Sequence, residues 1–485
     1  MHECCSGYHV DLSRRTFLQA VGTATAGATL GAKLAAAQQT GGAPVQPRQK
    51  GEARIRAAFL YPPTEKLRQE GYYSWPGASF DAEGRQRTHT QQVESIAREL
   101  GMRVDIDAVP LDEEASVSAF IANVKQEPPD GLLLTAFKKS HWRHVTRIID
   151  ETGVPSIAVA TVGVLLVDHI RPMHRKPGVY MISSSDDFDA VKDGMRMVRA
   201  ARAMRDSLLI DIRGEDTSEA LEPHLKTRIR TIPHERFYSE YASTELTPEV
   251  KRLADSYRRH AKEIVEPSQN DIRDAARCYF ALKRVIEAEG ADAMMMDCLP
   301  GLRHPRKHVP PCMAFMSLRD EGIPAGCQSD INATLSLMLV QSLFGLPGFQ
   351  QNAAMDTARN LYFGAHCTCP SRMLGPNSPQ RPYILRSHAE AGWGCVPRVL
   401  FEKGQKVTLL QYLTGEKPEV LLYTGDVVDC PAMPPAGGCR TNIAMTINEV
   451  ADVCDVKGMH QVIFCGDHGR SVRAFCQLYN IPVVS

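Results

Sequence analysis

Residues 322–370 read GIPAGCQSDINATLSLMLVQSLFGLPGFQQNAAMDTARNLYFGAHCTCP, and their pattern decides the fold. An apolar run of strand length, residues 323–327, halts at Gln328-Ser329-Asp330. A helical run over 333–343 follows and is broken at Gly345-Leu346-Pro347-Gly348. A second strand, residues 360–365, then delivers the chain into His366-Cys367-Thr368-Cys369-Pro370. Open parallel sheets bind ligands beyond the carboxyl ends of their strands. The polar cluster 328–330 therefore marks the expected cleft, and His366 closes the same unit from its other end.

Upstream, strands at 55–61, 103–109, 131–135 and 155–161 alternate with helices at 88–100 and 115–124. This βαβ rhythm predicts a parallel sheet. A second unit is expected to start near Val179, with strands at 207–212, 228–232 and 291–298 and a long charged helix between 248 and 289. Ser183-Ser184-Ser185-Asp186-Asp187 reads as a helix cap before a helix over 188–203. Beyond residue 349 the strands shorten, at 406–413, 419–426, 440–447 and 461–465. The expected class is α/β: two flavodoxin/Rossmann-like parallel-sheet domains, 53–172 and 173–348, followed by a β-rich C-terminal domain, 349–485.

Ser13-Arg14-Arg15-Thr16-Phe17-Leu18 precedes a run of small apolar residues that is interrupted by Lys33 and reaches Ala35-Ala36-Ala37. Residues 1–37 thus read as a twin-arginine export signal and 38–52 as a spacer. A periplasmic or extracellular protein with no stable membrane span after processing is expected. The 485 residues carry no formal net charge, and the pI is near 7.2. That balance lacks the basic footprint of a nucleic-acid binder. After the first strand, Tyr61-Pro62-Pro63-Thr64 lacks the glycines that let a backbone approach a pyrophosphate, so no nucleotide cofactor is expected. Among the 14 cysteines, Cys430 and Cys439 flank a Pro/Gly-rich loop and are the first pair to test for a disulfide.

Five separated blocks, GIPAGCQSDINATLSL, LFGLPGFQQN, LYFGAHCTCP, GGCRTNIA and GMHQVIFCGD with its closing YNIPVVS, fall in the order seen in the L-fucose and L-arabinose isomerase superfamily. The chain resembles the shorter, fucose-isomerase-like members over roughly residues 290–485. The resemblance implies two α/β domains with a C-terminal β-rich one, aldose–ketose isomerisation through an enediol, and a homo-oligomer. In that family a divalent metal, usually manganese, is held by a Glu, a second carboxylate and His. Here the Glu position is Gln328, the second carboxylate falls near Gln351, the paired His has become His460-Gln461, and His366 matches a ligand. Each acid-to-amide change removes roughly 4 kcal/mol of attraction to a cation at ~4 Å with an effective dielectric near 20. A metal, Mn or Zn, is accordingly expected to be weak or absent.

The expected site gathers Gln328, Gln351 and His366 round one hollow. Asp330 is the general base and is taken to point the same way as Gln328 along an extended strand. Gln328 and Gln351 bind sugar hydroxyls, His460 joins them, and His366 ligates a metal or polarises the substrate. Asp356 and the Cys367 and Cys369 thiols are the nearest replacements for lost ligands. The basic loop His304-Pro305-Arg306-Lys307-His308 offers Arg306 and His308 to an anionic group on the substrate. Two functions follow: a sugar isomerase, or a catalytically altered isomerase fold that binds carbohydrate.

Overall fold

The computed structural model describes residues 51–70, 80–432 and 438–485. The export signal and all but the end of the spacer lie outside these described residues. Five strands, β1 (Arg54–Leu60), β2 (Arg103–Ile106), β3 (Gly131–Ala136), β4 (Ser156–Thr161) and β5 (Val179–Ser184), form a parallel sheet in the order β2-β1-β3-β4-β5. The central strand β3, GLLLTA, is buried at every position, as expected where helices cover both faces. β5 pairs with β4 from Ser156↔Val179 to Thr161↔Ser184, so the first sheet keeps the strand expected to open the second unit. The cap expected before 188 is present: Asp187 accepts from the Ala190 amide at 3.0 Å and starts the helix Phe188–Asp206.

The second sheet has β6 (Leu208–Ile212), β7 (Ser218–Leu221), β8 (Arg228–Ile232), β10 (Ala293–Met296) and β11 (Ala325–Cys327), in the order β11-β10-β6-β8-β7. All its pairings are parallel except the β7–β8 hairpin. The long charged helix expected between 248 and 289 is two helices, Pro248–His260 and Gln269–Glu289, parted by β9 (Ala261–Ile264). The first helix ends at His260, and after Pro267 Ser268 opens the second as a capping box with Asp271.

The C-terminal part closes on itself. β12 (Phe349–Asp356), β13 (Leu361–His366), β16 (Lys406–Leu413), β17 (Glu419–Asp429), β18 (Thr441–Met445) and β19 (His460–Cys465) form a six-stranded antiparallel barrel in the order β16-β19-β12-β13-β18-β17, with β17 pairing back to β16. Closure removes the exposed edges that an open sheet would present. β14 (Tyr383–Arg386) pairs with β15 (Val396–Val399) on one side and β9 on the other, outside the barrel, and β20 (Val483–Val484) adds in parallel to β17.

The helix α1 (Ile331–Phe344) connects the second sheet to the barrel, and its sequence INATLSLMLVQSLF is buried nearly all round. Its leucines share one core with Ile157 and Val198 of the first unit and with Leu410 and Val462 of the barrel. Strand β11 lies against this helix at Gly326, where a Cβ would overlap Thr334 Oγ1 and stand 2.9 Å from Thr334 Cβ and 3.1 Å from Met295 Cβ. Gly326→Ala should therefore destabilise the protein by overpacking, by about 1–3 kcal/mol. Chemical denaturation of the two proteins measures it, and an unchanged midpoint would show that strand and helix are not held in this contact.

Candidate functional site

The site is built on the outer edge of β11, an edge strand whose free backbone groups need partners. The barrel supplies them. Gln350 Oε1 accepts from the Cys327 amide at 2.9 Å, and Gln350 Nε2 donates to the Cys327 carbonyl at 3.1 Å. One side-chain amide thus occupies the place of a neighbouring strand. Beside it lies Arg319, 1% exposed, at the end of the helix Cys312–Asp320. Its guanidinium donates to the carbonyls of Ala325 at 2.9 and 2.5 Å, Thr368 at 2.6 Å and Gly348 at 3.5 Å, and to Gln350 Oε1 at 3.3 Å. Burial pushes its pKa down to about 10, which leaves it charged at neutral pH. The next residue, Asp320, accepts from the Ser371 and Arg372 amides at 2.8 and 2.7 Å and fixes the chain after β13.

Past Cys327 the backbone turns sharply. Gln328 and Ser329 both adopt left-handed conformations, with φ of 59° and 49°, at a cost of roughly 1–2 kcal/mol each. Ser329 Oγ donates to Asp211 Oδ1 at 2.5 Å, and the Ser329 amide to the Met296 carbonyl at 3.2 Å, which hold the turn in place. The extended geometry expected from Gln328 to Asp330 is therefore absent, and the strand ends at Cys327. Asp330 instead caps α1, with Oδ1 accepting from the Ala333 amide at 2.9 Å. Its Oδ2 lies 2.7 Å from His460 Nδ1. One carboxylate anchors a helix and orients an imidazole.

His460 belongs to a row across the barrel. Register pairs His460 with Asn352, Asn352 with Ala365 and Ala365 with Asn442, so these four side chains share one face. That is also the face of Gln350, two residues before Asn352, and it looks toward β11. The His366 ring stands 6.0 Å from the His460 ring, nearly perpendicular to it, and its Nδ1 is 3.1 Å from Thr368 Oγ1. Burial, then the neighbouring His460, Arg319 and His388, hold His366 well below the ordinary histidine range, so its ring is neutral at pH 7.

Gln351 is not brought to this row. Its Nε2 donates to the Tyr362 hydroxyl at 2.5 Å, and its Oε1 lies 2.8 Å from where a Cβ on Gly364 would be. Tyr362 belongs to the apolar cluster inside the barrel, where Gln351 is fully buried. Strand alternation puts Asn352 where Gln351 was expected. Asp356 sits at the β12–β13 hairpin and accepts from the Arg359 amide at 3.1 Å, away from the row. Arg306 is exposed, with its guanidinium 4.0 Å over the Trp393 ring. His308 is 3% exposed, stacked on Tyr238, and burial pushes its pKa down to about 4. It therefore anchors the loop and offers no charge. Cys369 packs in the barrel cluster while Cys367 packs with Cys312 and Cys439, so the thiols do not gather round His366. Cys439 is in hydrogen-bonding contact with Cys367 rather than with Cys430, whose thiol donates to the Asn442 carbonyl at 2.9 Å. Arg319, Gln350, Asn352 and Asn442 carry the geometry and were not singled out from sequence.

The donors here include few of the carboxylates that a manganese ion favours. Among the described residues no group of three or more His, Cys, Asp or Glu side chains is arranged to hold a metal. Both oxygens of Asp330 are engaged, and Gln328, Asn352 and Asn442 supply only neutral amides where hard cations favour carboxylates.

A carboxylate–imidazole pair thus stands at the carboxyl edge of a parallel sheet, beside polar side chains of the barrel wall. No protein-family model matches the chain. It is similar to curated sugar isomerases. A sulfoquinovose isomerase of Priestia aryabhattai is 23% identical over 286 residues, covering 52% of this chain and 63% of that protein. The chain thus spans a little under two thirds of that relative's length. A sulfoquinovose isomerase of Alkalicoccus urumqiensis is 20% identical over 405 residues, covering 76% of this chain and 88% of its own. Among solved structures, a D-threo-3-hydroxyaspartate dehydratase from Delftia sp. HT23 aligns with a TM-score of 0.11 at 10% identity over 88% of this chain and 86% of its own, too low to bear on the fold.

Asp211, 1% exposed beneath the Ser329 turn, has its pKa pushed up to about 6, chiefly by burial. The folded protein then holds a proton that the unfolded chain releases near pH 4, so this group's stabilisation is full below that pH and lost as pH rises through 6. Two units correspond to about 3 kcal/mol. The stability difference between the native protein and Asp211→Asn should shift by about that amount between pH 3.5 and 7, in the direction that favours the native protein at low pH. Asp320, also pushed up to about 6, is common to both proteins. A difference constant with pH would show that Asp211 is not buried as described.

Proposed function

We propose that this chain is a sugar isomerase that interconverts an aldose and a ketose in the cleft between β11 and the barrel. The observation that carries this reading is the Asp330–His460 pair, 2.7 Å apart, beside Asn352 on the barrel row and two residues after Gln328. Isomerisation needs a base to remove the proton at C2, donors to hold the enediol oxygens, and return of the proton to C1. Asp330 fixes the orientation of the His460 ring, and the pair acts as the proton carrier. The amides of Gln328 and Asn352 bind the sugar hydroxyls, and neutral His366 with Thr368 borders the same space. The likeness to sulfoquinovose isomerases supports the reaction class and makes sulfoquinovose the first aldose to test. Export by the twin-arginine signal of residues 1–37 and assembly as a homo-oligomer belong to the same proposal.

The second reading, a carbohydrate-binding protein on the same fold, is favoured by one feature: the single carboxylate beside His460 already caps a helix. The two separate by turnover. An aldose panel that includes sulfoquinovose, glucose, fucose and arabinose, followed in D₂O by NMR, should yield a ketose and deuterium at C1 or C2. His460→Ala and Asp330→Asn should each lower kcat by about 10²–10⁴-fold, with the helix cap preserved by Asn in the second variant. Thermal stabilisation by a sugar with no ketose and no deuterium exchange would replace the isomerase with the binding protein.

A further inference from the structure

The loop between β10 and the helix Cys312–Asp320 carries Arg303, His304, Arg306 and Lys307, all exposed. No carboxylate among the described residues pairs with Arg303, Arg306 or Lys307. The loop is nonetheless held firmly. The Lys307 amide donates to the Gly301 carbonyl at 2.8 Å, buried His308 stacks on Tyr238 at 5.6 Å, and Arg306 lies 4.0 Å over Trp393. Trp393 itself packs against the core of the second sheet. A guanidinium laid flat on an indole keeps its edge N–H groups for a ligand while losing little freedom on binding it.

The loop also stands at the site. β6, β10 and β11 end level with one another, Ile212 beside Met296 beside Cys327, and Cys298 Sγ at the base of the loop is 4.0 Å from Cys327 Sγ, one residue before Gln328. On the other side, the Trp393 carbonyl accepts from the His388 amide at 3.1 Å, and Arg440 donates to the Ser387 carbonyl at 2.7 Å, two residues before Asn442 of the polar row. The basic loop therefore leaves the second sheet at the same edge as Gln328, and the segment 387–393 links it to the strand that carries Asn442.

We propose that Arg306, braced by Trp393 and flanked by Arg303 and Lys307, is an anion subsite that holds a charged substituent, a sulfonate or a phosphate, at the end of the sugar remote from C1 and C2. This rests on the isomerase reading for the orientation of the sugar, and it names the substrate class of that site as an anionic aldose. Planar N–H pairs match the oxygens of either anion, and a charge-assisted contact of this kind is worth roughly 10-fold to 100-fold in affinity.

The test compares sulfoquinovose, glucose 6-phosphate and uncharged 6-deoxyglucose with the full chain and its Arg306→Gln variant. The expected result is a preference for an anionic aldose that shrinks as salt is raised, and a loss of about 10-fold to 100-fold in kcat/KM, carried by KM, for that aldose alone in the variant. The relative rates with sulfonate and phosphate tell which anion the subsite takes. Equal turnover of charged and uncharged aldoses, or equal losses for both in Arg306→Gln, would overturn the subsite and leave the isomerase reading standing. Calorimetric binding of the same sugars to His460→Ala gives the other separation. Binding of an anionic sugar that disappears in His460→Ala/Arg306→Gln, with no ketose from the unmutated protein, keeps the subsite and removes the isomerase; no binding of any of the three sugars removes the subsite.

Discussion

The structure depends on a buried cation with no carboxylate among its hydrogen-bond partners in the described residues. Arg319 is held by carbonyls from three separate segments, Ala325 of β11, Gly348 before β12 and Thr368 after β13, together with the Gln350 side chain. A charge taken out of water is tolerable only when its donors are met, and these acceptors are in place only when the second sheet and the barrel are docked. The guanidinium thus couples the two parts of the molecule. It also sets the separation of β11 from β12, and with it the width of the cleft between Gln328 and Asn352.

Much of this was legible as rhythm and little of it as contact. Alternating apolar strands and helices announced two parallel sheets, and the run from Ile323 to Cys327 marked the strand whose end carries the site. The barrel strand Phe349-Gln350-Gln351-Asn352 was harder, because three successive amides erase the in–out alternation that would fix its facing. A one-residue shift there moves Gln351 into the barrel and brings Asn352 to the cleft. β5 was assigned to the wrong unit because a strand run does not name the sheet it joins, and β9 was hidden inside a charged helical stretch because its residues pair outside both large sheets. Arg319 gave no sign at all. Its role lies in carbonyls that are distant in sequence.

Asp330 shows how a single residue can satisfy two readings. An Asp immediately before a helical run is a cap, and an Asp at the carboxyl end of a parallel strand is a candidate base. The left-handed turn at Gln328 and Ser329 makes both true, since it rotates the carboxylate so that one oxygen faces the helix start while the other meets His460. Backbone strain of this kind persists where the surroundings over-determine it, and here the Ser329–Asp211 contact and the Met296 carbonyl do so.

The amides that take the place of ligand acids in the resembled isomerases alter the field of the cleft as well as its affinity for metal. Two carboxylates at ~8 Å from a bound anion, in a medium of effective dielectric near 20, would each repel it by roughly 2 kcal/mol. With Gln328 and Asn352 neutral, that repulsion is gone, and the remaining carboxylate at Asp330 is engaged with an imidazole. In the proposed subsite, Arg303, Arg306 and Lys307, which have no carboxylate partner among the described residues, then face a floor without those two charges. A polar, nearly uncharged floor beneath a basic rim is the arrangement on which the proposed anion subsite relies.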